Sequence, residues 1–278
     1  MPLWLTYTIW TFLLTVPFYL LISRSGGAAG EKFPRRYRMM LWVPGLVALG
    51  YRILTSSGFG DVGYSLSSWW LLLAAVLLPF VIETVLIAIA LASGWGQISP
   101  DILSFQENKL RVGENFGLLM REKLQSPSQF FLNLLLSVIV GTLYTAIFAV
   151  GAEFGWRAYL QPLLIESYGF ALGLVIVGLV WGYWLLPLVL DGYRFPYNPQ
   201  LGAWVLMPAT TVAYSLIAGW LYLAADNIWA PALFHGSLIV TGDLSEVGLG
   251  KAGAGLRIRL VSIALWYIAA LFIGLLPR

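Results

Sequence analysis

The chain has 278 residues, of which 59% are hydrophobic and only 10% are charged. Soluble globular domains carry about 25% charged residues, so this composition excludes an ordinary water-soluble fold and indicates an integral membrane protein. The net charge of +3 does not indicate nucleic-acid binding, because the basic residues cluster beside apolar runs, as orientation signals do. With no cysteine and a single histidine, His235, the sequence excludes a disulfide framework and a zinc site of the Cys or multi-His type.

Apolar segments follow one another along the chain, and many are long enough to cross a hydrocarbon core about 30 Å thick. We therefore predict an all-α polytopic membrane protein, with about eight transmembrane helices in a bundle around an intramembrane polar pocket. The first segment lacks a basic start and a cleavage site, which favours a spanning helix over a removed signal peptide. The seventh is short for a full span and is expected to be a half-helix or a buried element. The predicted segments are 3–23, 39–54, 69–92, 130–151, 169–190, 203–223, 229–240 and 257–276, in a single membrane domain over 1–278.

Two long connections, residues 24–38 and 93–129, carry Gly, Pro and charged residues and are predicted to be loops outside the hydrocarbon. Within the second, residues 114–125 are expected to form a helix on the membrane surface. If the loops alternate across the membrane, thirteen of the sixteen Lys and Arg residues lie on the side of the loop 24–38. The positive-inside rule then predicts cytoplasmic basic loops and two extracytoplasmic termini.

Ionisable residues at membrane depth cost about 2.5–3.5 kcal/mol when centrally placed, so each one needs a reason. Glu83 stands alone in its segment, and its ordinary interpretation is a protonated or snorkelling acid that bonds to a neighbouring helix. Glu153 and Arg157 are four residues apart and share one face of a helix, in the order that favours an ion pair. Taken alone, these two residues favour a structural ion pair over a catalytic site.

Three stretches of the chain resemble, in order and spacing, the signatures of the CPBP family of intramembrane proteases. That family contains the type II CAAX prenyl endopeptidases and the bacterial Abi or bacteriocin-processing proteins. Its first motif reads EExxxR, its second carries a His in a WGxWHxPL context, and its third reads HxxxN. The resemblance implies a CPBP/Abi-like core over about residues 130–245. The stretches are AEFGWRAYLQPLL, GLVWGYWLLPLVLDGYRFP and IWAPALFHGSLI.

The resemblance also implies a role for each motif position. In the family the first Glu and the second-motif His activate the attacking water, and the third-motif His and Asn steady the oxyanion. The second Glu and the Arg hold the site together. This chain retains Glu153, Arg157 and His235. The three remaining positions have lost their polar groups and are Ala152, Leu185 and Ile239.

Three functions remain open from the sequence, and with them the question of whether the chain is an enzyme. One is a catalytically degenerate family member, a pseudoenzyme that acts as a membrane scaffold, chaperone or substrate- or partner-binding subunit. Another is an active intramembrane endopeptidase that cleaves prenylated or leader-type peptides, with Glu153 as the base and His235 as the donor. The third is a transporter or channel subunit, which the lack of paired interrupted segments disfavours. The expected partners are membrane lipid and a membrane protein or peptide substrate, with no nucleic acid and no cofactor.

We predict that the purified protein binds no stoichiometric zinc. One His, no Cys and a few buried carboxylates do not supply the three or four ligands that a zinc site requires. Elemental analysis of the purified protein checks this, with a chelator-treated sample as the control. About one zinc per chain, removable only with loss of structure, would contradict the prediction.

Overall fold

A computed structural model of the chain describes residues 1–66, 68–98, 100, 103–106, 108–112, 123–253 and 255–274. Helices dominate these residues, which confirms the prediction of a largely helical membrane protein. The helices are α1 (Leu3–Ser23), α2 (Phe33–Met40), α3 (Val43–Thr55), α4 (Trp69–Ala92), α5 (Pro127–Gly155), α6 (Gln161–Tyr168), α7 (Phe170–Trp184), α8 (Leu186–Leu190), α9 (Pro199–Leu201), α10 (Met207–Ala225), α11 (Trp229–Gly253) and α12 (Leu256–Gly274). A 3₁₀ turn spans Gly27–Ala29, and π-helical turns span Trp156–Leu160 and Gly202–Leu206.

Within the described residues, five helical stretches are long and apolar enough to cross a membrane, fewer than the predicted eight. Some of the predicted segments are divided where a proline follows. The predicted span 39–54 is instead the end of α2, a turn at residues 41–42 and α3, and α2 begins inside the predicted loop 24–38. The predicted span 169–190 breaks at Leu185. The predicted short seventh segment is wrong in length, because α11 runs for 25 residues. The five stretches are Leu3–Ser23, Trp69–Ala92, Pro127–Tyr168, Pro199–Ala225 and Leu256–Gly274.

A small antiparallel sheet lies in the long connection between α4 and α5, where the sequence predicted no strand. Its strands β1 (Leu103–Gln106), β2 (Lys109–Val112) and β3 (Lys123–Gln125) pair in the order β1-β2-β3. The predicted surface helix over 114–125 is therefore wrong at its end, where β3 lies, and the rest of it falls outside the described residues. Alternating burial along β2 accounts for the strand, because Leu110 and Val112 face inward.

Glycine lets the two motif-bearing helix pairs approach closely. Helix α11 packs along α5, and α7 packs along α10. A Cβ atom added to Gly236 would lie 2.9 Å from the backbone of Ala146 on α5. On α7, a Cβ at Gly182 would lie 2.6 Å from the Cα of Pro208. Small residues of this kind are what membrane helices use to pack backbone against backbone, and here they bring the three motifs together.

Each π-helical turn ends two residues before a proline, and the proline explains it. Proline lacks an N–H group and its ring clashes with the carbonyl four residues earlier. Before Pro162 the helix widens, and the N–H of Gln161 bonds to the carbonyl of Trp156, five residues back. The same widening precedes Pro208, at Met207 and Gly202.

The carbonyl that Pro162 leaves without a helical partner is that of Ala158, and Arg52 satisfies it. Arg52 Nη2 donates to the Ala158 oxygen at 2.6 Å. The same guanidinium forms two hydrogen bonds with Asp61, at 2.7 and 2.9 Å, and it is only 3% exposed. This contact joins α3, the loop after it and the π-helical turn that follows Glu153.

We predict that Asp61→Asn lowers the melting temperature at neutral pH, and that the difference from wild type shrinks in acid. The hydrogen bond from Arg52 holds the pKa of the Asp61 carboxyl below its usual value. A carboxyl with a lowered folded-state pKa stabilises above its unfolded pKa of about 3.9, and that stabilisation is lost as the pH falls through the folded value. The measurement is a thermal melt in detergent from pH 7 to about pH 3. Glu31→Gln, at an exposed acid elsewhere, serves as the control; an Asp61→Asn difference independent of pH would contradict the assignment.

Candidate functional site

The side chain of Glu153 is fully buried, and both of its oxygens are hydrogen-bonded. Arg157 Nε donates to Oε2 at 2.8 Å, and His235 Nδ1 lies 2.7 Å from Oε1. Since an ionised carboxylate only accepts hydrogen bonds, the histidine must donate with a protonated Nδ1. The ion pair expected from the i, i+4 spacing is therefore present. His235 contacts the same carboxylate directly, with no group between the two side chains.

Arg157 reaches from the π-helical turn to α10. Its Nη1 donates to Ser215 Oγ at 2.9 Å, and Ser215 donates in turn to the carbonyl of Leu174 at 2.7 Å. The face of Trp181 lies 5.6 Å from the Arg157 Cζ atom, so a cation–π contact covers the guanidinium. The chain thus compensates a charge that has no contact with water.

Trp181 also packs on His235, with ring centroids 4.8 Å apart and an interplanar angle of 51°. Trp181 is only 3% exposed and His235 only 2%. One indole therefore covers both partners of Glu153. The second signature contributes to the site through this indole, four residues before the position where the family has its histidine.

The three apolar substitutions occupy two different surroundings. Leu185 and Ile239 line a cavity beside His235, together with Trp181. Ala152 is fully buried in the main apolar core and is not among the residues that line this cavity. A methyl group and two aliphatic side chains thus stand where the resemblance implies a carboxylate, an imidazole and an amide.

The sequence suggested that Glu83 stands alone, but in the structure it lies among other charged side chains. It is 7% exposed on α4 and lines the same cavity as His235, together with two arginines, Arg194 and Arg259. The sequence could not show this, because the loop after α8 and the start of α12 bring those arginines in from far along the chain.

Sequence reasoning missed two further contributors to the site. Ser215 is a hydroxyl-bearing residue in an apolar helix, and such residues commonly bond across to a neighbouring helix. Arg52 is an arginine inside an apolar segment, and a charge in such a segment needs a partner. In the structure Arg52 is buried. The partners themselves have no fixed spacing from either residue, so only the folded chain identifies them.

Residues 127–240 match the family model described as type II CAAX prenyl endopeptidase Rce1-like. The match begins at the start of α5 and ends just after Ile239, so it contains every residue of the three signatures. This part of the chain, less than half of its length, is similar to the CPBP family. The family resemblance seen in the motifs is thereby confirmed. No curated protein matched the chain in a sequence search.

We predict that breaking the Glu153–Arg157 pair destabilises the protein by about 3–5 kcal/mol, because removing one partner strands a buried charge. Glu153→Gln and Arg157→Met should each lower the melting temperature in detergent. The double variant should lose less than the sum of the single losses, because it strands neither charge.

Leu185→Met is the control for that experiment, since a volume-conserving apolar exchange costs less than about 1.5 kcal/mol. Melting temperatures that fall equally in the control and in the two single variants would argue against a structural ion pair. Strictly additive losses in the double variant would do the same.

Proposed function

We propose that this chain is a catalytically degenerate CPBP protein that acts as a membrane-embedded substrate- or partner-binding subunit. The observation that carries the proposal is the state of the Glu153 carboxylate. Both oxygens accept hydrogen bonds from protein groups, at 2.8 and 2.7 Å, and the side chain has no exposed surface. A general base must lie within hydrogen-bond reach of the water that it activates. This geometry supports a structural carboxylate rather than a catalytic one.

The positions that would supply the rest of the chemistry support the same conclusion. General acid–base catalysis contributes about 10²–10⁴-fold, and one oxyanion donor about 10²–10³-fold. Ala152, Leu185 and Ile239 have no titratable group and no side-chain donor. On the cavity wall, Leu185 and Ile239 present only carbon atoms to anything bound there.

The alternative of an active endopeptidase would need Glu153 and His235 to exchange their present partners. Glu153 would have to release one of Arg157 and His235, and each release would leave a buried polar group without a partner. His235, with Nδ1 committed to Glu153, has one ring nitrogen left for a ligand. That is enough for a single hydrogen bond in a binding site, but it does not replace both a base and an oxyanion pair.

What the degenerate site can still do is bind. A cavity beside His235 is lined by apolar side chains and a few polar groups. Ligand sites in proteins commonly combine apolar walls with a few polar groups in this way. These features support a function in which a largely apolar intramembrane cavity holds a partner or substrate without cleaving it.

We predict that the wild-type protein cleaves no family-type peptide in nanodiscs, because water activation and half of the oxyanion site are missing. A fluorogenic prenylated or leader-type peptide is the substrate, and an active CPBP protease assayed in parallel shows that it can be cleaved. Wild-type turnover that Glu153→Gln abolishes would overturn the proposal.

We predict that restoring the polar groups one at a time gives no activity. Residues that act as a catalytic unit are strongly non-additive, so Ala152→Glu, Leu185→His and Ile239→Asn should each remain inactive. Only the triple variant could regain hydrolysis, at a trace level, because a glutamate at the buried position of Ala152 must displace core atoms. Turnover is measured with the same peptide. Activity in any single variant would contradict the prediction, since it would show that the missing groups are dispensable.

A further inference from the structure

Positive charge is concentrated directly after the first apolar helix. Residues 24–42 carry five basic side chains and one acidic one, which gives this stretch a net charge of +4. It follows α1, which is long and apolar enough to cross a membrane, so the charge lies where the chain leaves the hydrocarbon. The five basic residues are Arg24, Lys32, Arg35, Arg36 and Arg38.

Contacts inside the protein account for two of these cations. Arg36 Nη1 donates to the Leu21 carbonyl and to Ser25 Oγ, which holds α2 against the end of α1. The guanidinium of Arg38 lies over the ring of Tyr144 at 5.2 Å. The other three side chains are exposed, and within the part of the chain that the structure describes they form no hydrogen bond and no ion pair. These three cations are therefore available to a partner outside the protein.

Two of the three available cations begin an exposed stripe that continues along α2 and α3. Its members recur every three or four residues, which places them on one face of a helix. The backbone keeps helical angles through the turn at residues 41–42, so the face continues from α2 into α3. Beyond Arg35 every member of the stripe is apolar. We call this the outer stripe, and it consists of Lys32, Arg35, Met39, Trp42, Leu46, Leu49 and Ile53, all exposed.

The opposite face of α2 packs into the protein and fixes the direction of the outer stripe. The rings of Phe33 and Tyr37 are stacked, with centroids 5.5 Å apart. Both rings lie 5.4 Å from the ring of Tyr193, in the loop after α8. This aromatic contact sets the rotation of α2 about its axis, so the outer stripe faces away from the protein.

We infer that the outer stripe binds an anionic phospholipid, with its phosphate on Lys32 and Arg35 and an acyl chain along the apolar part. Lysine and arginine donate charge-assisted hydrogen bonds to phosphate oxygens, and Arg24 adds a third cation at the end of α1. Trp42 lies where the stripe becomes apolar, and tryptophan is enriched at the boundary between head groups and hydrocarbon. This surface is distinct from the Glu153 site, so the inference goes beyond the proposed function and does not depend on it.

Other partners fit the outer stripe less well. A soluble acidic protein or a nucleic acid matches the cations but leaves the apolar part of the stripe without a contact. A zwitterionic phospholipid matches the apolar part, but it places a positive group beside three cations. An anionic phospholipid satisfies both parts of the stripe.

The direct test compares two lipids of equal chain length on the full chain in a nonionic detergent. The probes are dioctanoyl phosphatidylglycerol and dioctanoyl phosphatidylcholine, and each affinity is obtained from the rise of the melting temperature with lipid concentration. We expect the anionic lipid to bind at least about fivefold more tightly at low salt, since one cation near a membrane surface is worth about 1 kcal/mol. The preference should shrink at high salt, because ions screen exposed charges. Equal affinities at low salt would overturn the inference.

Two variants locate the phosphate. Lys32→Gln and Arg35→Gln should each weaken phosphatidylglycerol binding about fivefold and leave phosphatidylcholine binding unchanged. Arg257→Gln is the matched control, because it removes the same charge from an exposed arginine on α12. A loss in the control as large as in the two stripe variants would show attraction to the net charge of the protein, and it would overturn the assigned site.

Two further probes and one variant test whether the partner is a lipid. Glycerol phosphate carries the phosphate without acyl chains, and polyglutamate carries negative charge without either. If one of them binds as tightly as phosphatidylglycerol, the apolar part contributes nothing and the lipid assignment is wrong. Met39→Gln should weaken the binding of both phospholipids, because it removes an acyl contact. Unchanged binding of both lipids to this variant would contradict the placement of the acyl chain.

Discussion

The structure is organised around one electrostatic constraint, a carboxylate that has no contact with solvent and lies inside a membrane-spanning helix. Glu153 is tolerable there only because Arg157 and His235 take both of its oxygens. Arg157 in turn needs Ser215 and the face of Trp181, and His235 needs α11 to approach α5 closely at Gly236. Isolated charges at that depth would be costly. The three signature segments are therefore held together by the same contacts that keep the carboxylate in place.

This constraint distinguishes the motif residues that are paired in the structure from the motif positions that carry apolar side chains. At Ala152, Leu185 and Ile239, where the family motifs have a Glu, a His and an Asn, an apolar residue strands no buried charge. Removing one member of the Glu153–Arg157 pair leaves the other buried and uncompensated, which costs far more than removing both. The ion pair is thus the part of the site that cannot be removed one residue at a time, and the cavity beside His235 is lined largely by apolar side chains.

Some of the fold could be predicted from local sequence, and some could not. Uninterrupted apolar runs predicted α1 and α4 correctly, and the i, i+4 spacing predicted the ion pair. Hydropathy predicted too short a helix for α11, because the helix continues past the point where charged residues begin. It also missed the restart at Val43, although Pro44 suits only the first turn of a helix. The bonds from Arg52 to Ala158 and from Arg157 to Ser215 join distant parts of the chain, so no spacing rule could predict them.

The most direct measurement of the central claim is the protonation of the imidazole, which this chain makes accessible because His235 is its only histidine. Selective ¹⁵N-histidine labelling gives ring-nitrogen signals from a single residue, which need no assignment. If Glu153 is held between Arg157 and His235, Nδ1 carries a proton that is hydrogen-bonded to the carboxylate, and Glu153→Ala abolishes that hydrogen-bonded signal. A neutral ring protonated only on Nε2 would contradict the account, because such a histidine cannot donate to Glu153 and would leave an oxygen of that carboxylate available for catalysis.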